Sequence, residues 1–383
     1  MIAEAALLAT RLSVAPAIDD STAIAAGEHV FVHRCLDCHR SGSPVDVDLE
    51  SDAPRHRRAL TAAKAVEDGL MPPWLPGDRS APLLGCRRLA PEERAALLSW
   101  LRSGARRTKA FPPAMAPAPS RTAITLAVAP EWIVAGEPDM QLRSFALELG
   151  VDRPLRIGGI EFEGRPPGSI HAVSLLADTT GFARRLDASD PAPGYDAPGD
   201  VGWTASGSLG ALSRFGDSFR LPEGLALEVP AGSVIVAEVH AEPRGKPESA
   251  SSRIGLVEAD RDSVPVDAHS FSRRRPATLN ADARAISIIV RAASSAASIR
   301  VTATAPDGCE TALLDLPKWN DRFAEPWHFA EGIRLARGTM LAVEWARNAD
   351  APIAPPTSHA AAMEEPTVVV LTAPETRTPV PSN

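Results

Sequence analysis

Tyrosine is nearly missing from this chain: Tyr195 is the single one in 383 residues. Lysine stands only at positions 64, 109, 246 and 318, so the basic side chains are almost all arginine. With the abundant alanine, that bias reads as genome composition rather than function. There are four cysteines, and Cys86 and Cys309 stand alone, so no second Cys/His pair completes a four-ligand zinc centre. No apolar run reaches the length needed to span a bilayer, which excludes a transmembrane helix and leaves the expectation of a soluble chain. Phosphate-cradling glycine loops and nucleophile elbows are missing too, which removes nucleotide-dependent and serine-hydrolase chemistry from consideration. A formal net charge of -8 excludes nucleic acid as a partner and disfavours anionic membrane surfaces.

What is present begins with bulk. A hydrophobic content of 44% over this length supplies two or three cores, and 36 prolines imply many loops and turns. The stretch that organises the chain is Cys35-Leu36-Asp37-Cys38-His39. Two thiols two residues apart can each add across a vinyl group of one haem, and the following histidine then reaches the iron. The same spacing also occurs in thioredoxin-type redox pairs, which start a helix after a strand and need no histidine, and in half of a zinc site.

Downstream, Pro91-Glu92-Glu93-Arg94-Ala95-Ala96-Leu97-Leu98-Ser99-Trp100-Leu101 predicts a helix. Pro91 suits its first turn, the two glutamates favour the positive end of the dipole, and Gly104 can close it. Between motif and helix lies Gly69-Leu70-Met71-Pro72-Pro73-Trp74. A thioether is a soft ligand that favours reduced iron, and two prolines hold an extended loop that can present it. Met71 is therefore the candidate distal ligand, His56 the alternative, and a packing role for Met71 the plain reading. With Gly27 and Phe31 eight and four residues before Cys35, the region resembles a class I cytochrome c. That resemblance implies an all-α domain holding haem c on Cys35 and Cys38, with His39 and Met71 on the iron. It also implies a crossing in which Gly27 meets Leu97 or Trp100, and export to the periplasm or cell exterior of a bacterium, with a redox protein as partner.

The chain divides into five parts on composition. Residues 1–20 read as an N-terminal tail or partial signal segment, since Ala5–Thr10 is apolar and Ala15-Pro16-Ala17 resembles a cleavage site, although Arg11 interrupts the run. Residues 21–107 form the helical part, and 108–122 a Pro/Ala linker that cannot continue a helix. From there the pattern alternates. Strands are expected at Ala123–Val128, Met140–Leu149, Ile170–Ala177, Leu225–Val229 and Val234–His240 in a first group. A second group comprises Ile286–Val290, Ile299–Ala303, Thr311–Leu316, Gly338–Trp345 and Thr367–Leu371. The fold class expected is thus multidomain, a small all-α domain followed by two all-β sandwiches at 123–272 and 273–383.

Trp132, Gly136-Glu137-Pro138-Asp139, Ser169-Ile170-His171-Ala172-Val173 and Pro230-Ala231-Gly232-Ser233-Val234-Ile235-Val236-Ala237-Glu238-Val239-His240 resemble the copper type II, ascorbate-dependent monooxygenases, of which peptidylglycine hydroxylating monooxygenase is the best-known kind. That resemblance implies two jelly-roll sandwiches with one copper on each. Its ligands carry over poorly. The family's adjacent His-His falls on Ile170-His171, the third histidine on His240, the His-x-His of the oxygen site on Arg291-Ala292-Ala293, and the methionine on Met363. One thioether does not retain copper(II), and Arg291 brings a positive charge where a cation belongs. His171, His240 and Met363 remain as a residual copper set, or as leftover side chains on facing strands. His29, His33, His269, His328 and His359 show no ligand spacing, and most are expected to be exposed. Cys86 and Cys309 are either thiols or a bridge.

Two functions fit these residues. The first is an exported electron-transfer haem protein whose β module is a binding or docking platform, with a redox partner and a small-molecule or peptide ligand. The second is an oxidoreductase in which haem feeds electrons to metal on His171 and His240. Whether the chain is an enzyme stays open between them.

Overall fold

The computed structural model describes residues 20–41, 43, 45, 47–113, 122–128, 132–135, 141–165, 170–196, 207–213, 218–241, 243, 245–249, 251–351 and 365–375. Of these, 42% lie in strands and 17% in helices. The chain separates into two compact units, and the smaller one is helical.

The helical unit is built on α1 (Asp20–Arg34), α2 (Asp52–Glu67) and α3 (Pro91–Arg102). Pro91 opens α3, and the Glu93 carboxylate accepts the Ala90 amide at 2.9 Å, satisfying one orphan donor of the first turn. Gly104 turns the chain out of the helix with φ 95°. At the crossing of α1 and α3, a Cβ on Gly27 would run into the Ala96 carbonyl and Trp100 Cβ. Phe31 then stacks on Trp100 with ring centroids 5.0 Å apart. The glycine–aromatic meeting expected at Gly27 is therefore there, and its partner is Trp100. Arg55 is 1% exposed; its Nε donates to Ala105 O at 2.7 Å and its Nη1 to Glu50 O at 2.8 Å.

The expectation of a separate all-α domain over residues 21–107 is overturned. The helical unit consists of the described residues up to Asp37, then Leu49–Pro72 and Leu89–Pro113, while Cys38–Asp48 and Pro73–Arg88 between them group with the β unit. The physical reason is in the second insert. It is irregular and carries Trp74, Leu75, Ala81 and Leu83, which find their apolar partners in a β core.

The β unit starts with β1 (Thr122–Val128), β2 (Ile133–Val134), β3 (Gln141–Glu148), β4 (Leu155–Arg165) and β5 (Ile170–Asp178). After the short helix α4 (Phe182–Ser189) come β6 (Gly207–Ser213), β7 (Ser218–Arg220), β8 (Leu225–Val229), β9 (Val234–Ala241), β10 (Glu248–Ser249) and β11 (Ser251–Glu258). Next are β12 (Val264–Pro265), β13 (Asp267–Ser272), β14 (Ala277–Thr278), β15 (Ala283–Arg291), β16 (Ala296–Thr304) and β17 (Glu310–Leu316). The last are β18 (Trp327–Leu335), β19 (Met340–Arg347) and β20 (Thr367–Pro374).

Sheets of order β1-β11-β4-β8-β12 and β3-β9-β5-β6 enclose one core, while β14-β19-β16-β17 covers another. Between them lies β13-β20-β15-β18, and this sheet serves both cores. On β20, Val369 and Leu371 enter the first core, whereas Val368 and Val370 enter the second; on β15, Ile286 and Ile289 oppose Ala285, Ile288 and Val290 in the same way. A strand buried on both faces reads as an unbroken apolar run, as Val368-Val369-Val370-Leu371 does. Two independent jelly-roll sandwiches, the other half of the expected fold class, are thus also corrected: the two cores share a wall.

Candidate functional site

α1 ends at the cysteine motif. The amides of Cys35 and Leu36 both donate to Phe31 O, at 2.9 and 3.0 Å, closing the last turn. Leu36 is fully buried; Cys35 and Cys38 are half-buried and not joined in a disulfide. His39 is 8% exposed. Its Nδ1 lies 2.9 Å from Val47 O, and because a carbonyl only accepts, Nδ1 must carry the proton. The neutral ring therefore has its lone pair on Nε2, the nitrogen a metal would take; a backbone carbonyl on the other ring nitrogen fixes tautomer and orientation in histidine ligands. Ser43 Oγ donates to Cys38 O and holds the start of the following segment. Two thiols without a disulfide and a histidine with its tautomer set are a donor set that fits a covalent haem.

Met71 is half-buried. The amides of Leu70 and Met71 both reach Ala65 O, at 2.9 and 3.1 Å, folding the chain back on the end of α2. His56, the alternative, stands exposed on α2 and acts on the Asp52 carboxyl.

The copper readings fare differently. His171 falls in a bulge of β5, where the register to β9 slips between Ile170↔Ala241 and Ala172↔His240. Met363 and His359 lie outside the described residues. His240 is 9% exposed, and its Nε2 sits 3.1 Å from Glu238 Oε1. Arg291, at the end of β15, donates to that same oxygen. Glu238 itself is fully buried on the central strand β9, with Ser144 of β3 and Ser174 of β5 opposite it in register. The Asp321 carboxyl is pushed up by burial, partly offset by the Arg322 amide and by the positive charge of Arg322 and His240. Burial likewise raises the Tyr195 phenol, which pairs through its backbone with Ser144.

This arrangement does not fit a copper ion. A guanidinium already occupies the cation's place beside the imidazole, so a metal would meet its charge at close range. Glu238 was not anticipated as a functional residue. Its signal is nonetheless in the sequence: a glutamate and a histidine two apart share one face of the otherwise apolar strand Val234–Ala241. His29 and His33 are exposed, with rings 4.2 Å apart, but His269 and His328 are half-buried, contrary to expectation. Burial lowers the affinity of both for a proton; His269 Nε2 pairs with Thr372 Oγ1 at 2.9 Å, and His328 stacks on Phe219 at 5.2 Å. Cys86 and Cys309 are exposed thiols, not a bridge. Among the described residues, no helix is long and apolar enough to cross a membrane and no group of three or more His, Cys, Asp and Glu side chains converges as for a metal.

No family model matches the chain, and no curated protein matches it. Among solved structures, the major capsid protein P2 of bacteriophage PM2 aligns with a TM-score of 0.25 and 9% identity, covering 63% of this chain and 99% of that one. A likeness of that size supports no conclusion on fold or function.

Proposed function

We propose that the protein is an exported, bacterial c-type haem protein that passes single electrons to or from a redox partner. Cys35 and Cys38 hold the haem through thioether bonds, His39 is its proximal ligand and Met71 its distal one. When bound, the haem supplies one-electron exchange at iron. The protein's own residues do the rest: the last turn of α1 presents Cys35, Val47 O keeps the His39 proton on Nδ1, and Ala65 O turns Met71 back toward its helix. The observation that carries the reading is Cys35-Leu36-Asp37-Cys38-His39 with its histidine tautomer fixed for ligation by Nε2. The β layers act as a docking platform for the partner or for a small-molecule or peptide ligand. A second, copper-borne redox centre on them is not supported, because Arg291 and Glu238 already satisfy each other around His240.

The test is production together with a haem-attachment machinery, then denaturation and acid-acetone extraction. The colour should stay with the polypeptide and be lost from the Cys35→Ala/Cys38→Ala variant. Colour passing wholly into the solvent from the unaltered protein would refute the proposal.

A further inference from the structure

Met71 is followed, after Pro72, by a strap from Pro73 to Arg88 that belongs to the β unit. The strap is held along its whole length. Trp74, Leu75, Ala81 and Leu83 pack against the core behind β15–β20. The Gly77 amide donates to Asp315 O at 2.7 Å, and Arg79 forks onto the Asp315 carboxylate at 3.1 and 3.0 Å. Leu83 pairs with Phe329 across the edge of β18, with the Leu84 amide on His328 O at 2.8 Å and the Ala330 amide on Pro82 O at 2.9 Å. Arg87 then closes the strap on itself: its Nε donates to Pro73 O at 2.9 Å, its Nη2 to the Glu325 carboxylate, and its guanidinium covers the Trp74 ring at 5.4 Å.

These contacts place a rigid anchor directly beside a candidate ligand. The residue before Met71 and Met71 itself are pinned by Ala65 O, and Pro73, two residues later, is pinned by Arg87. A proline between the two fixed points leaves the chain few backbone states. We infer that the strap sets how firmly the Met71 thioether is held, with Arg87 as its positioning residue; this rests on the haem reading above. The thermodynamic logic is preorganisation: a side chain held near its bound place loses little freedom on ligation, and an unpinned one loses more. The β layers would thereby tune the iron's reduction potential from a distance, because methionine ligation favours reduced iron.

The experiment uses the haem-loaded full chain and four proteins: unaltered, Met71→Ala, Arg87→Ala and Gly77→Ala. The last pries the strap at its far end, because a Cβ there would meet Asp315 Oδ2 at 2.9 Å and Pro317 Cδ at 3.0 Å. The readouts are the weak sulfur-to-iron band of the oxidised protein, the imidazole concentration that displaces it, and amide exchange at Gly77 and Leu84 in the protein without haem. Arg87→Ala and Gly77→Ala should keep the covalent haem, speed exchange at both amides and need about tenfold less imidazole. If Met71→Ala leaves the band unchanged, Met71 is not the ligand and the haem reading itself fails at that residue. If Met71→Ala abolishes the band while both strap variants exchange faster yet need as much imidazole as the unaltered protein, the strap inference alone is overturned.

Discussion

The motif at Cys35–His39 and the buried knot at Glu238 announce themselves in opposite ways. The first is legible from five consecutive residues, because two thioether bonds and one ligand demand a fixed spacing along the chain. The second brings together Glu238 and His240 from β9 with Arg291 from β15, 53 residues further on, and no local pattern links them. Covalent cofactor chemistry is written in spacing; burial of charge is written in strand register between distant segments. The difference also bears on energetics, since the motif requires little of the fold around it, whereas the knot exists only if two sheets stack correctly.

The largest expected effect breaks the knot. Removing one partner of a buried pair leaves an uncompensated charge, so Arg291→Ala should destabilise the β unit by about 3–5 kcal/mol. His240 beside the same oxygen keeps the value toward the lower end. Amide exchange on β9 and urea unfolding measure it. The double variant Glu238→Leu/Arg291→Met, which removes both charges, should recover most of the loss. A double variant as unstable as Arg291→Ala would mean that the knot's shape matters and its charge does not.

Much of the strand pattern was visible without the structure, and the omissions have physical causes. The ten strands expected in the two groups all occur, within a few residues, because their apolar runs are short and bounded by turns. β4 was hidden by Gly158-Gly159 and its charged residues; Gly159 is needed there because Arg220 and the Phe219 carbonyl of β7 lie where its Cβ would go. β18, Trp-His-Phe-Ala-Glu-Gly-Ile-Arg-Leu, has a glycine and charges along one side and no clean alternation. α2 escaped because its arginines and alanines form no apolar stripe. The shared sheet was hidden for a different reason. An apolar run such as Val368–Leu371 shows that both faces of a strand are covered, but not by which cores. Of the candidate ligands, spacing found Cys35, Cys38 and His39, whereas the imidazole of His240 proved to be committed to a glutamate that only register reveals.

A smaller effect sharpens the other side of the comparison. The crossing of α1 and α3 was expected from Gly27 and an aromatic ring, and the space there is closed by the Ala96 carbonyl and Trp100. Backbone cannot rotate away as a side chain can, so Gly27→Val should cost about 2–3 kcal/mol, near the upper range for overpacking. The loss should appear as faster amide exchange throughout α1 and α3, with the β9 amides unaffected. Equal loosening of β9 would show that the helical and β units unfold as one.

The smallest effect concerns charge at the surface of the helical unit, where the knot's large penalty has its natural contrast. The Glu93 carboxyl is held below its ordinary value of 4.5, chiefly by the Ala90 amide it accepts, and then by Arg34, with Nη2 3.0 Å away. A carboxyl whose native value is depressed stabilises the fold when ionised. That contribution is complete above the unfolded value and disappears as the pH falls through the native one. Glu93→Gln keeps an oxygen for the Ala90 amide but loses the charge, so only the ion pair and the dipole interaction are removed. Both are partly solvated, which limits the difference to under about 1 kcal/mol at neutral pH. Measured as the gap between the two proteins, it should be flat from pH 8 to about 5, shrink as the pH drops below 4.5, and narrow further in molar salt. Other carboxylates titrate alike in both proteins and cancel in the gap. A gap unchanged by pH would mean that Glu93 acts through its shape as a cap, as Gly27 acts through its size, and that charge contributes to this molecule's stability only where it is buried.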